Sequence, residues 1–468
     1  MIKEALLTVR WMFVLVGIFS GLGTSAMGRD SARWKVGVAK TIITPDQSMW
    51  LAGYAARNKP SEGTLHDLWA KAIVFEDQHG QKGVLVTMDV LRIHKELSDS
   101  IRHELHRLYG LVPSQIILNT SHTHSGPEVD VDRYRFMLDT SELAKISAFA
   151  TRLQTQVVQV VHDAFASMAP ADLFGGNSVA RFAVNRRNNS EAEAARLNQL
   201  NGPMDHAVPV IKVVGEAGEI VAIVFGYACH PTVLDTYQWS GDYAGFAQLA
   251  LEEQYPGAVA LFFQGAGGDQ NPMPRRSVAL AKQYGLTLAA SVVRMIEEDM
   301  EPLAPQFASA YSEVELGFAK PSPSREELST IIESHSKYPR WIRHHAEVLL
   351  DKLDRGETLM TSYPYPVQLW KMGDQPIVSL GGELVVDYAL RLKRIFGNRL
   401  FVMGYANDVM AYIPSKRVLT EGGYEGDRSP VFTTPWKSDI EELIISEVIK
   451  LAEQDSIELA VPKDWLER

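Results

Sequence analysis

Gln115-Ile116-Ile117-Leu118-Asn119-Thr120-Ser121-His122-Thr123-His124-Ser125-Gly126-Pro127 joins an apolar, strand-like run to two imidazoles and then to a Gly-Pro break. Side chains two apart on an extended chain share a face, so His122 and His124 can aim at one ion or one substrate atom. Gly126-Pro127 then turns the chain away. Neutral imidazole is the commonest metal ligand and the usual proton shuttle near neutral pH. A second stretch repeats the device: the apolar run Ile220 to Phe225 leads through Gly226-Tyr227-Ala228-Cys229 to His230-Pro231. One histidine at a strand end serves structure more often than chemistry. Three of them at two such breaks favour a site.

Outward from these breaks, strand-like and helix-like runs alternate. Trp34 to Ile43, Lys71 to Phe75, Gly83 to Val90, Gln115 to Asn119, Ala171 to Ala183, Ala207 to Val214, Glu219 to Ala228, Ala258 to Phe263 and Ala308 to Phe318 read as strands. His94 to Tyr109, Ser141 to Ser167, Tyr243 to Gln254, Arg276 to Glu298, Val385 to Phe396 and Ser438 to Gln454 read as helices. Thr361 to Lys371 and Gln375 to Leu380 form an expected hairpin, and the polar helices Ser324 to Ser336 and Trp341 to Leu353 an expected surface insertion. The pattern predicts an α/β fold of mixed β-sheets flanked by helices. No linker or repeat interrupts it, so a single large domain over 34–468 is expected.

The composition is globular, with 46% hydrophobic and 22% charged residues among 468. A net charge of −11 argues against nucleic acid or an anionic membrane as partner, and Asn185-Arg186-Arg187-Asn188 is too short to change that. At the N-terminus, Lys3 and Arg10 precede the apolar run Trp11 to Leu22, and Thr24-Ser25-Ala26 suits cleavage after Ala26. Two readings stand: a cleaved signal peptide over 1–26 with export of the chain, or an uncleaved membrane anchor. Cys229 is the single cysteine, so no intrachain disulfide forms and a large core must supply stability. Its place in an apolar run suits a buried filler better than a nucleophile.

Two more strand ends carry polar groups of the right type. Ser379-Leu380-Gly381-Gly382-Glu383 presents a carboxylate, and Gly404-Tyr405-Ala406-Asn407-Asp408 leads to Tyr412. Two histidines and a glutamate are a recurrent catalytic zinc set that leaves a position open for water. The competing reading of Glu383 is a carboxylate placed near a helix N-terminus by the dipole.

At this point the chain resembles the neutral, non-lysosomal ceramidases, over their N-terminal catalytic domain. The likeness runs from about Val36 onward, through Val36-Gly37-Val38-Ala39-Lys40, Ile43-Thr44-Pro45 and Leu65-His66-Asp67-Leu68-Trp69-Ala70-Lys71-Ala72. It is most specific in His122-Thr123-His124-Ser125-Gly126-Pro127. It continues in order through Asn185-Arg186, His230-Pro231, Gly267-Gly268-Asp269, Gly382-Glu383, Tyr412 and Tyr424-Glu425. The resemblance implies zinc held by His122, His230, Glu383 and Tyr412, with His124, Arg186 and Tyr424 lining the pocket. A tyrosine ligand rests on the resemblance alone.

Departures from the family pattern matter too. Where members carry Gly-Asp-x-Ser-Pro, this chain has Gly268-Asp269-Gln270-Asn271-Pro272, so Asn271 stands in the place of an essential serine. Asparagine closes any serine-nucleophile route but can donate to an oxyanion. The family's C-terminal β-sandwich domain is expected to be missing, and the short segment Thr232 to Gly241 to reshape the pocket mouth. Asp242 and Asp269 either orient a histidine or cap turns, and Trp50, Trp69, Trp239 and Trp436 either line a mouth or fill the core. Three functions follow: zinc-assisted hydrolysis of an N-acyl sphingoid-like amide, at a membrane surface or from solution; hydrolysis of another amide, ester or glycan-linked bond on the same fold; or binding without catalysis.

Overall fold

The first histidine turn is an edge feature. Ile116–Thr120 lies at one edge of a nine-stranded sheet, beyond Lys82–Met88, Trp69–Glu76, Trp34–Ile42, Ala169–Val179, Ala207–Val214, Ile220–Tyr227 and Val259–Gln264 in that order. Glu301–Leu303 pairs off this path with Ala169–Val179. Neighbours are antiparallel except at the two ends, where Ile116–Thr120 runs parallel to Lys82–Met88 and Val259–Gln264 parallel to Ile220–Tyr227. A second sheet has the order Phe307–Gly317, Ser362–Met372, Gln375–Leu380 and Phe401–Met403, the last pair parallel. A computed structural model describes residues 33–428 and 434–460, apart from 195, 197, 198, 456 and 459. The segment read as a signal peptide lies outside the described residues.

Four apolar clusters show how the sheets stack. Trp34, Phe75, Leu85, Ile117, Val213, Val224 and Leu261 from one face of the large sheet meet Trp370, Met372, Ile377 and Phe401 of the small one. The opposite face of the large sheet packs on the helices Lys95–Tyr109 and Thr140–Ala166 at one end, and on Asp242–Gln254 and Val278–Glu297 at the other. The outer face of the small sheet is covered by Val386–Phe396 and Ile440–Gln454. The result is helices, sheet, sheet, helices: the mixed α/β architecture expected from the alternating pattern. Each strand alternates its apolar residues between two buried faces, which is why the sequence runs read as nearly continuous. The expected hairpin forms with Gly373 at φ +58° in its turn. The polar helices appear as Arg325–Glu333 and Arg340–Asp354. The single run read over Ala171 to Ala183 divides instead into Ala169–Val179 and Ala183–Asn185, because the latter leaves the large sheet to pair with Gln270–Pro272.

The two edges of the large sheet converge at Asn119, which is fully buried. Its Oδ1 accepts from the Gln264 amide at 2.9 Å and its Nδ2 donates to the Gly404 carbonyl at 2.8 Å. One side chain thereby ties both sheet edges to the end of the small sheet. The carboxyl ends of five strands that leave toward His122, His230, Gly267, Glu383 and Tyr405 gather around it, the usual place for a ligand in such sheets. Removing Asn119 leaves two buried backbone groups without partners, each costing about 1–3 kcal/mol. Asn119→Ala is therefore expected to lower stability by about 2–4 kcal/mol, read from the urea midpoint. An unchanged midpoint contradicts this role.

Candidate metal centre

His122 stands two residues beyond the end of the edge strand Ile116–Thr120, with φ +61°, a left-handed backbone that a non-glycine residue rarely adopts. The conformation turns its ring inward, where its Nδ1 lies 2.7 Å from the Leu91 carbonyl. His230 repeats the arrangement after Ile220–Tyr227, with Nδ1 2.6 Å from the Gly267 carbonyl. A carbonyl only accepts, so each Nδ1 carries the proton and each Nε2 is left with a bare lone pair. Both Nε2 atoms face the same oxygen: Glu383 Oε2 is 3.3 Å from His122 and 3.3 Å from His230.

Glu383 reaches this point because Glu383–Leu384 pairs in parallel with Tyr412–Ile413, placing Glu383 directly beside Tyr412. The Tyr412 hydroxyl sits 3.4 Å from His230 Nε2. Gly382, at φ +70°, makes the turn that frees Glu383 from its strand. Donors held at zinc bond lengths around a tetrahedral ion lie ~3.3–3.4 Å from one another. The separations from Glu383 to His122 and to His230, and from Tyr412 to His230, match that figure. Among the described residues, His122, His124 and His230 also bring one nitrogen each within 4.8 Å of the others. The two sets share His122 and His230. The set with Glu383 is the better cage, because no carbonyl fixes the tautomer of His124, whose buried Nδ1 has no partner.

The charges suit a cation. Burial, with the Arg186 charge nearby, pushes His230 down to about 4, so the ring is neutral. Bare lone pairs and an anionic oxygen therefore meet in a buried space, an arrangement that a cation relieves.

His124 lies on the other side of His122, Nε2 to Nε2 at 3.4 Å. Burial, then the two neighbouring imidazoles, push its pKa well below the ordinary value. Its ring packs on Tyr54 at 4.7 Å and fills the space over Gly53, where an added Cβ would sit 2.5 Å from Nδ1. Arg57 donates to the His124 carbonyl at 2.6 Å. Arg186 spreads three contacts over its guanidinium: Glu425 at 2.7 Å, the Tyr412 hydroxyl at 3.0 Å and Asn271 Oδ1 at 3.3 Å. Tyr424 packs on Tyr412 at 5.5 Å and under Arg186, and remains half exposed at the cleft. All eight residues singled out in the sequence thus form one contiguous cluster. It opens into a cleft that Gly53, Leu91, Arg92, Arg133 and Met410 also line.

Several alternatives left open in the sequence narrow to one. Asp242 and Asp269 touch no histidine. Asp242 accepts from the Leu234 and Tyr243 amides, and Asp269 from the Val386 amide and Asn185. Both carboxylates cap turns, and the carbonyls of Leu91 and Gly267 orient the histidines instead. Trp50, Trp239 and Trp436 are core residues and line no mouth. Trp69 lies under Lys40 and Lys71 rather than at the cleft. Cys229 is buried, with its thiol pKa pushed up by burial, which leaves it a filler. Glu383 precedes the helix Val386–Phe396 but turns its carboxylate toward the histidines, so it is no helix cap. The sequence reading missed Gly53, Tyr54 and Arg57, which lie some seventy residues before His124 and carry no motif beyond a Gly-Tyr turn. It missed Tyr405 as well, whose ring packs on His122 at 4.5 Å.

If these donors hold a metal, adding zinc raises the unfolding temperature of the metal-free chain by linkage. His230→Ala is expected to abolish that rise. An equal rise in wild type and His230→Ala contradicts the assignment.

The model of the family described as neutral/alkaline non-lysosomal ceramidase, N-terminal, matches residues 34–313. Neutral ceramidase B of Dictyostelium discoideum is 27% identical over 244 residues, 48% of this chain and 33% of that protein. Neutral ceramidase A of the same organism is 26% identical over 268 residues, 53% of this chain and 37% of that protein. The matched stretch spans about a third of the length of these relatives. The crystal structure of neutral ceramidase from Pseudomonas aeruginosa superposes with a TM-score of 0.70 at 19% identity, covering 92% of this chain and 75% of that one. A ceramidase complexed with C2 gives 0.70 at 18% identity, covering 92% and 77%. The shared fold and the match over more than half of the sequence place this chain in the neutral/alkaline non-lysosomal ceramidase family.

Proposed function

We propose that this protein is a zinc-dependent amidohydrolase that cleaves an N-acyl amide, with N-acyl sphingoid-like lipids as the first substrate class to try. One observation carries the proposal: two imidazoles, each fixed through Nδ1 by a carbonyl, turn bare Nε2 atoms toward one carboxylate oxygen at 3.3 Å. His122, His230, Glu383 and Tyr412 are the residues that would hold the ion. When bound, zinc supplies Lewis acidity toward water and toward the scissile carbonyl.

The remaining chemistry belongs to the chain. His124 is half-buried, lines the cleft and is held neutral, and so is placed to accept a proton from water and return it to the leaving amine. Arg186 holds the Tyr412 oxygen and Asn271 Oδ1, which leaves the Asn271 amide group as a donor for a developing oxyanion. Such donors typically contribute ~3–4 kcal/mol to a transition state. Tyr424, at the cleft wall, is placed for the same task. Water adds across the C–N bond, and a carboxylic acid and an amine leave.

A second reading, hydrolysis of a different bond on this fold, is favoured by Asn271. Thr232 and Arg186 both donate to its Oδ1, so the position is built for an amide and not for a serine nucleophile. His122→Ala is expected to lose both bound zinc and hydrolysis, while His124→Ala keeps zinc and loses at least ~100-fold in kcat. Gly53→Ala should resemble His124→Ala, because the three atoms nearest the new methyl all belong to His124, whose ring it displaces. Metal analysis with kinetics on a fluorescent N-acyl sphingosine and on matched amide and ester series reads all of these. Full zinc content in His122→Ala contradicts the ligand set, and full activity in His124→Ala contradicts the proton transfer. Cleavage of esters alone selects the second reading.

A further inference from the structure

The cleft beside His122, His124 and Glu383 carries two guanidinium groups that amide hydrolysis leaves idle, those of Arg92 and Arg133. Arg92 follows the strand Lys82–Met88 and is 9% exposed. Its nearest acid is Glu128 Oε2 at 3.6 Å, too far for a hydrogen bond, and its Nε has no partner. Glu128 directs its other oxygen to the Val129 and Asp130 amides. Arg133, on the short helix Val131–Tyr134, is exposed and makes no ion pair among the described residues. The acids of that helix turn are engaged elsewhere: Asp130 caps it through the Arg133 amide, and Asp132 pairs with Arg135.

Arg186, in contrast, has each of its three nitrogens engaged, by Glu425, Asn271 and Tyr412. A buried guanidinium with unfilled donors is costly to maintain, which is the signature of a group kept for a ligand. Its fork matches the paired oxygens of a carboxylate or sulfonate. The apolar part of the same wall is small, formed by Leu91, Val409, Met410 and Ala411.

We propose that the substrate carries a small oxyanion close to the scissile amide, and that Arg92 and Arg133 receive it. The proposal rests on the amidohydrolase reading and narrows it to amides such as N-acyl amino acids. Their hydrolysis adds water across the C–N bond, releases a fatty acid and an amino acid, and needs no further reactant.

The test uses the full zinc-loaded chain and four amides with one acyl chain: N-lauroylglycine, N-lauroyltaurine, N-lauroylethanolamine and N-lauroylsphingosine. At least one of the two anionic amides is expected to exceed the ethanolamide by about tenfold or more in kcat/KM. Preference for glycine over taurine identifies a carboxylate as the ligand, and the reverse a sulfonate. Arg133→Ala and Arg92→Gln are expected to shrink the preference toward one, chiefly through KM. Arg133 is exposed, so its variant keeps the test valid if Arg92→Gln does not fold. Equal or slower cleavage of both anionic amides overturns this proposal and leaves the amidohydrolase reading standing. If none of the four is cleaved, that reading falls, and calorimetry decides the present one. Binding of N-lauroylglycine that Arg133→Ala weakens supports the anion site, and binding no tighter than that of the ethanolamide overturns it.

Discussion

Two backbone carbonyls decide what this site can be. Leu91 O and Gly267 O each take the Nδ1 proton of a histidine, which forces a lone pair onto each Nε2. Those lone pairs meet at Glu383 Oε2, itself an acceptor, inside a buried space. Three acceptors at hydrogen-bond distance with no proton between them repel one another in a low-dielectric interior. A cation reverses the sign of every one of these interactions. The same arrangement explains why the surrounding chain is so heavily constrained.

The constraint is visible in the backbone. His122, Tyr405 and Asn407 all adopt positive φ, at +61°, +51° and +66°, where non-glycine residues are strained. These strained residues flank the point at which the two sheets meet. Asn407 accepts from and donates to Leu118 backbone groups, while Asn119 spans Gln264 and Gly404. Buried amides with every group satisfied can hold such conformations, because loosening one leaves several partners without bonds. The fold therefore serves as a clamp: strand ends from both sheets are locked together, and the donor atoms ride on the locked turns.

Much of this was legible in the sequence. The alternation of strand and helix runs gave the mixed architecture because most strands are buried on both faces and read as apolar runs. Polar residues at apolar strand ends marked His122, His124, His230 and Glu383, since a reactive group gains nothing from a strand's middle and much from its end. Tyr412 needed the family likeness, because a tyrosine after a strand ordinarily fills a core. What stayed hidden has a physical reason. The carbonyls of Leu91 and Gly267 are main-chain atoms that any residue supplies. Gly53 acts on His124 only through space that its missing Cβ leaves open. The two readings of Asp242 and Asp269 could not be separated in sequence, because a carboxylate's choice between a histidine and backbone amides is made in space. Arg92 and Arg133 became noticeable only in space, where both line the cleft without a hydrogen bond to an acid.

The convergence of donors on one ion is tested most directly by anomalous diffraction at the zinc edge, from crystals grown with zinc. The account predicts one strong peak ~2.0–2.1 Å from His122 Nε2, His230 Nε2 and a Glu383 oxygen, with the Tyr412 oxygen completing the set. A peak bound elsewhere, or none at saturating zinc, would contradict it.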